Sequence, residues 1–138
     1  MLKKFFRFVN IPGILLMALL FWSSSQSNLP GGWLIGSLDK VVHFGAYFVL
    51  AVSFSFWVRG ERWRTNPHLY LLVVWTVCAA YGAFDEIHQS WVPNRHASLG
   101  DWVADVAGAA AGVFFYYKVG VYKFIDRLYF DRKDKATE

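Results

Sequence analysis

The sequence predicts an all-α integral membrane protein, a bundle of four transmembrane helices with both termini on the cytoplasmic side, and three observations carry that expectation. Hydrophobic residues make up 56% of the 138 and charged residues only 17%, a balance too apolar for a soluble domain of this size. Four apolar stretches, 8–23, 41–58, 69–87 and 102–121, run at or slightly under the roughly 20 residues needed to cross a hydrocarbon core of about 30 Å. Lys and Arg are divided very unevenly between the two sides that these spans define.

The first span follows Lys3, Lys4 and Arg7 and ends in Ser23, Ser24 and Ser25. That pattern also fits a signal peptide, but bulky Trp22 before the serines and the extra apolar length from Phe5, Phe6 and Phe8 favour retention as a helix. Pro30, Gly31 and Gly32 break the chain before the second span, Asn66 and Pro67 before the third, and Pro93 and Asn94 before the fourth. Residues 1–122 form one membrane domain, and 123–138 form a basic cytoplasmic tail. From just before that tail and into it, Val121, Phe124, Ile125, Leu128 and Tyr129 recur at helical spacing, as in a segment lying on anionic lipid.

Orientation follows from charge. Lys3, Lys4, Arg7, Arg59, Arg62, Arg64, Lys118, Lys123, Arg127, Arg132, Lys133 and Lys135 fall on one side, and only Lys40 and Arg95 on the other. Basic residues stay cytoplasmic, so the loops 23–40 and 85–101 face outward. The net charge of +4 is explained by this placement at segment ends, and no nucleic-acid partner is expected. Trp22, Trp33, Trp91 and Trp102 outside, with Trp57 and Trp63 inside, read as interfacial belts. Cys78 lies alone within a span and reads as a small packing residue, and His68 as a boundary residue.

The outer ends of the spans carry more ionisable residues than orientation needs. Asp39, Lys40, His43, Asp85, Glu86, His88, Arg95, His96, Asp101 and Asp105 gather there. Helical spacing arranges them in stripes: Asp39, His43 and Tyr47 on the second span, Tyr81, Asp85 and Gln89 on the third, Asp101 and Asp105 on the fourth. The last stripe borders Gly108 and Gly112, a pair of small residues that lets helices approach closely. Intramembrane charge is costly, so these side chains face a partner or cavity, not lipid.

The combination Asp39-Lys40-x-x-His43-x-x-x-Tyr47, Glu86-x-x-Gln89, Pro93-x-Arg95, Asp101 and Asp105-x-x-Gly108-x-x-x-Gly112 resembles the VanZ-like membrane protein family. The resemblance spans roughly residues 37–112. It implies a small helical protein of the bacterial cytoplasmic (inner) membrane, and the family's namesake is linked to teicoplanin resistance. Many members carry Asn where Asp105 stands; the carboxylate keeps an acceptor and lacks the amide donor. Asp85 and His88 enter on charge and position alone.

Three readings of the cluster stay open. In the first, Asp39, Lys40, His43, Tyr47, Glu86, Gln89, Arg95, Asp101 and Asp105 bind or help transfer a cell-envelope molecule, a lipid-linked glycan or a lipid headgroup. Lys40 and Arg95 would hold phosphate or carboxylate, and the acids sugar hydroxyls or amines. The acidic excess then asks for a bridging divalent cation or a zwitterionic ligand. In the second, the protein is a membrane-embedded enzyme, metal-assisted or acid/base, acting on an envelope substrate, with His43 as general base or metal ligand and Glu86 or Asp101 as acid or ligand. No His-Glu-x-x-His, phosphate-binding loop or Gly-x-Ser-x-Gly accompanies them. In the third, the charges only tie helix ends together, Asp39 with His43, Glu86 with Arg95 and Lys40 with Asp101.

Overall fold

The computed structural model describes residues 2–27 and 36–125, with the backbone alone for 2–11 and 36–37. It is all-α, with no strand among the described residues: α1 (Leu2–Ser24), α2 (Gly36–Ser55), α3 (Gly60–Thr65), α4 (Pro67–Gln89) and α5 (Leu99–Val119). The Pro30–Trp33 break and the tail from residue 126 lie outside the described residues.

Each long helix covers most or all of its expected apolar stretch, with ends set by local chemistry rather than by hydropathy. Asp39 stands in the first turn of α2, where the helix dipole favours a carboxylate, so α2 begins before the hydropathy rises. It ends at Ser55, short of the expected 58, because the Trp57 and Val58 amides bond three residues back and tighten the chain into a turn. Pro67 opens α4 at the first helical position, where its missing N–H costs nothing. Ser98 caps α5, its hydroxyl accepting from the Asp101 amide at 3.4 Å. Gly120, at φ 70°, ends α5 in the left-handed conformation that glycine adopts freely.

The long helices alternate in direction. Lys40, His43, Phe44 and Phe48 of α2 meet Asp101, Asp105, Gly108 and Gly112 of α5 in increasing order, so α2 and α5 run parallel. Trp75 donates its indole N–H to the Val106 carbonyl, and Trp102 to that of Ala79, each at 3.1 Å, so α4 runs against α5. The Tyr81 hydroxyl donates to the Met17 carbonyl at 2.7 Å and Phe21 stacks near Phe84, which sets α1 parallel to α4. One end of the bundle therefore joins the N-termini of α2 and α5 to the C-termini of α1 and α4.

The α2–α5 seam is the tightest. A Cβ on Gly108 would fall far inside contact distance of the Phe44 carbonyl, and one on Gly112 would do the same at Phe48. The two backbones touch there, as small residues four apart permit.

The short α3 was not expected, and it relocates Trp63. Instead of standing at an interface, Trp63 is fully buried among the rings of Tyr70, Tyr116, Tyr117 and Tyr122, with its indole N–H 3.3 Å from the Ser55 carbonyl. One helical turn suffices to point it inward between the flanking basic residues. Trp22, Trp57 and Trp91 are exposed, whereas Trp102 is half-buried and tied to α4.

Among the described residues, two stretches are long and apolar enough to cross a membrane, Leu38–Ser55 of α2 and all of α4, while Pro12–Ser24 of α1 is a shorter apolar helix. The 21-residue α5 carries Asp101, Asp105 and Lys118, which lower its hydropathy.

Candidate functional site

The end that gathers the N-termini of α2 and α5 holds most of the singled-out residues. Lys40 Nζ lies 2.8 Å from Asp101 Oδ1, joining the first turns of α2 and α5. One turn deeper, His43 Nδ1 lies 2.9 Å from Oδ1 of Asp105, which is fully buried. His43 also stands close to Asp39 and Asp101 on one side and to Glu86 on the other: one ligand atom from each of Asp39, His43 and Asp101, or of His43, Glu86 and Asp105, falls within 4.8 Å of the others.

From α4, Glu86 Oε2 accepts the Ser98 backbone N–H at 2.7 Å, holding the N-cap of α5 against the end of α4. Asp85 Oδ2 accepts from Gln89 Nε2 at 3.0 Å, one turn along the same helix. Tyr47 lies beneath this layer, fully buried, its ring 6.2 Å from that of Tyr81. Gly82 makes room for Asp105: a Cβ there would sit 3.0 Å from Asp105 Oδ2 and 3.3 Å from the Tyr47 ring.

Burial runs opposite to that of a soluble protein. Asp85, Glu86, Gln89, Asp101 and Asp105 are buried, while Leu15, Val41, Val42, Leu72, Val103, Phe114 and Val119 are exposed. Within the polar layer, four buried oxygens have no hydrogen-bond partner among the described residues: Tyr47 Oη, Asp85 Oδ1, Glu86 Oε1 and Asp105 Oδ2. Such groups are rare in native structures, because each forfeits its hydration without replacement.

Arg95 does not join this layer. Its Nε donates to the Gln26 carbonyl and its Nη2 to that of Ser23, both at 3.1 Å, so it straps the loop after α4 onto the C-terminal end of α1. A guanidinium is well suited there, since helix ends leave carbonyls unmatched and carry negative dipole. Glu86 accordingly takes a backbone N–H in place of the expected Arg95, and His43 takes Asp105 as its hydrogen-bond partner where the sequence pointed to Asp39. Of the expected pairs, Lys40 with Asp101 forms. His88 stacks on Phe21 at 4.3 Å, toward α1, and His96 is exposed in the loop.

Sequence reasoning missed Ser98 and Gly82. Ser98-x-x-Asp101 is a recognisable capping spacing, so the start of α5 was readable, but its amide's attachment to Glu86 was not. Nothing in the sequence marks Gly82, whose role depends on which helix faces it.

No curated protein and no solved structure matches the chain. A family model described as VanZ/LLP1 matches residues 8–123, a wider span than the motif residues and one that takes in the apolar part of α1 and all of α5. With the match covering most of the sequence, the chain belongs to the VanZ/LLP1 family.

Proposed function

We propose that the protein is a multi-pass protein of the bacterial cytoplasmic membrane whose four long helices all cross it. Both termini lie inside, and its outward-facing polar site binds or helps transfer a cell-envelope molecule. Apolar side chains outside and carboxylates inside are what a lipid solvent favours. The alternating helix directions agree with four successive crossings, and the charge asymmetry sets their sense. In a Cys78→Ala background, Ala97→Cys is expected to react with an impermeant maleimide in intact cells, and Thr65→Cys only after permeabilisation. The reverse pattern would turn the site to the cytoplasm.

The observation that carries the binding reading is the set of unpartnered buried oxygens on Tyr47, Asp85, Glu86 and Asp105. A cluster serving only as a clamp would satisfy itself. Lys40 is already paired with Asp101 and Arg95 is engaged with α1, so the layer asks for hydrogen-bond donors or positive charge. An envelope headgroup or lipid-linked glycan rich in hydroxyls and amines supplies both. Modulation of teicoplanin susceptibility would follow from occupancy of this site.

Glu86→Gln and Asp101→Asn are expected to abolish the teicoplanin phenotype and release co-purifying envelope lipid, seen by mass spectrometry, at unchanged protein abundance. Loss of abundance in step with the phenotype would leave the clamp reading standing. A second reading, an enzyme acting on an envelope substrate, draws on His43: an imidazole held through Nδ1 by a buried carboxylate is oriented as a general base is.

A further inference from the structure

We infer that His43, Glu86 and Asp105 form a binding site for one divalent metal ion. The inference goes beyond the headgroup reading and stands without it. The three residues come from α2, α4 and α5, so packing and not a flexible loop brings them together. One ligand atom from each lies within 4.8 Å of the others. Metal–ligand bonds of about 2.0–2.6 Å place the ligands of a shared ion within that spread.

A cluster of acids is common on protein surfaces without an ion, and proximity alone would carry nothing. Here the acids are inside. Asp105 is 0% exposed and Glu86 7%, and each keeps one carboxylate oxygen without a partner among the described residues, Oδ2 and Oε1. Asp85, also buried, leaves Oδ1 unmatched nearby on α4. Against these carboxylates stands a single imidazole, because Lys40 pairs with Asp101 and Arg95 with the α1 carbonyls. Buried carboxylates are stable when paired or bound to metal, and a doubly charged ion supplies the missing positive charge in one step.

The donor set points to the kind of ion. One imidazole with two carboxylates fits Mn2+ or Zn2+, since imidazole is a poor ligand for Mg2+ and Ca2+, and no thiolate is present to select softer metals. A set of three protein ligands also leaves positions for water or an exogenous oxygen ligand.

The test uses the full chain, purified in detergent, stripped with EDTA and freed of envelope lipid, so that a failure of the headgroup reading cannot affect it. Mn2+ is titrated and followed by the loss of its free-ion electron paramagnetic resonance signal, and Zn2+ by calorimetry, with thermal unfolding alongside. The expected result is one ion per chain and an ion-dependent rise in Tm, with Mg2+ and Ca2+ far weaker. His43→Gln, Glu86→Gln and Asp105→Asn are each expected to weaken affinity by at least about tenfold, the scale on which even the partners behind metal ligands act. Glu61→Gln, at an exposed position of α3, should bind as wild type does. No binding by the wild-type chain at millimolar Mn2+ or Zn2+ overturns the inference, as does undiminished binding by the folded variants. Should a variant fail to fold, the wild-type titration decides.

Discussion

Gly108→Leu and Gly112→Leu are expected to prevent the bundle from assembling, and even Gly108→Ala to lower its thermal stability sharply. The first atom of any side chain at these positions would run into the Phe44 or Phe48 carbonyl, and a backbone carbonyl cannot rotate aside as a flexible side chain can. Inserting groups into a packed core costs typically about 1–3 kcal/mol where side chains can shift; a collision with main chain belongs at or above the top of that range. The Lys40–Asp101 and His43–Asp105 pairs lie at the same seam, so forcing α2 from α5 opens them too. Gly45 has no atom within 4 Å of its Cβ position, and Gly45→Ala is the matched control. Thermal unfolding in detergent and abundance in membranes measure both. An unchanged Tm for Gly108→Ala would mean that the helices do not touch through their backbones.

The second large effect is expected at His43, in ion-stripped protein. His43→Ala removes the one hydrogen-bonding partner, among the described residues, of a fully buried carboxylate, and breaking a buried pair from one side costs about 3–5 kcal/mol. Asp105→Asn by itself keeps an oxygen facing His43 and should cost far less. Combining the two removes the stranded charge, so the double variant is expected to regain much of the stability that His43→Ala loses. Additive losses in this cycle would show that the two residues are not energetically coupled.

The four long helices were legible because apolar runs of near-spanning length, bounded by Pro, Gly and Asn, specify them locally. Their capped ends were partly legible, as Ser98-x-x-Asp101 illustrates. What the sequence could not supply was which helix faces which. Spacing of four residues places Asp39 beside His43, and they do lie close. The bond instead goes to Asp105, sixty-two positions along, because two glycines let α5 settle against α2. The partners of Arg95 were not legible for a related reason. Its charge suggested an anion site, but the carbonyls that it meets belong to the end of α1, which no nearby residue announces. Trp63 was misplaced because amphipathic belts and inward-pointing rings look alike in a basic loop, and only the surrounding tyrosines, scattered over α4, α5 and the turn beyond, distinguish them.

Trp63 and its tyrosine neighbours also bear on what kind of membrane protein this is. Beneath the polar layer, Leu50, Ala51, Val74, Cys78, Ala109 and Val113 fill the interior without a gap in their apolar character, and the aromatic rings close the far end. Among the described residues no charged side chain is buried between Asp105 and that end; the buried Ser55 hydroxyl turns back onto its own helix at Ala51. Among the described residues, the interior is thus polar and incompletely matched at one end and closed by apolar and aromatic packing at the other.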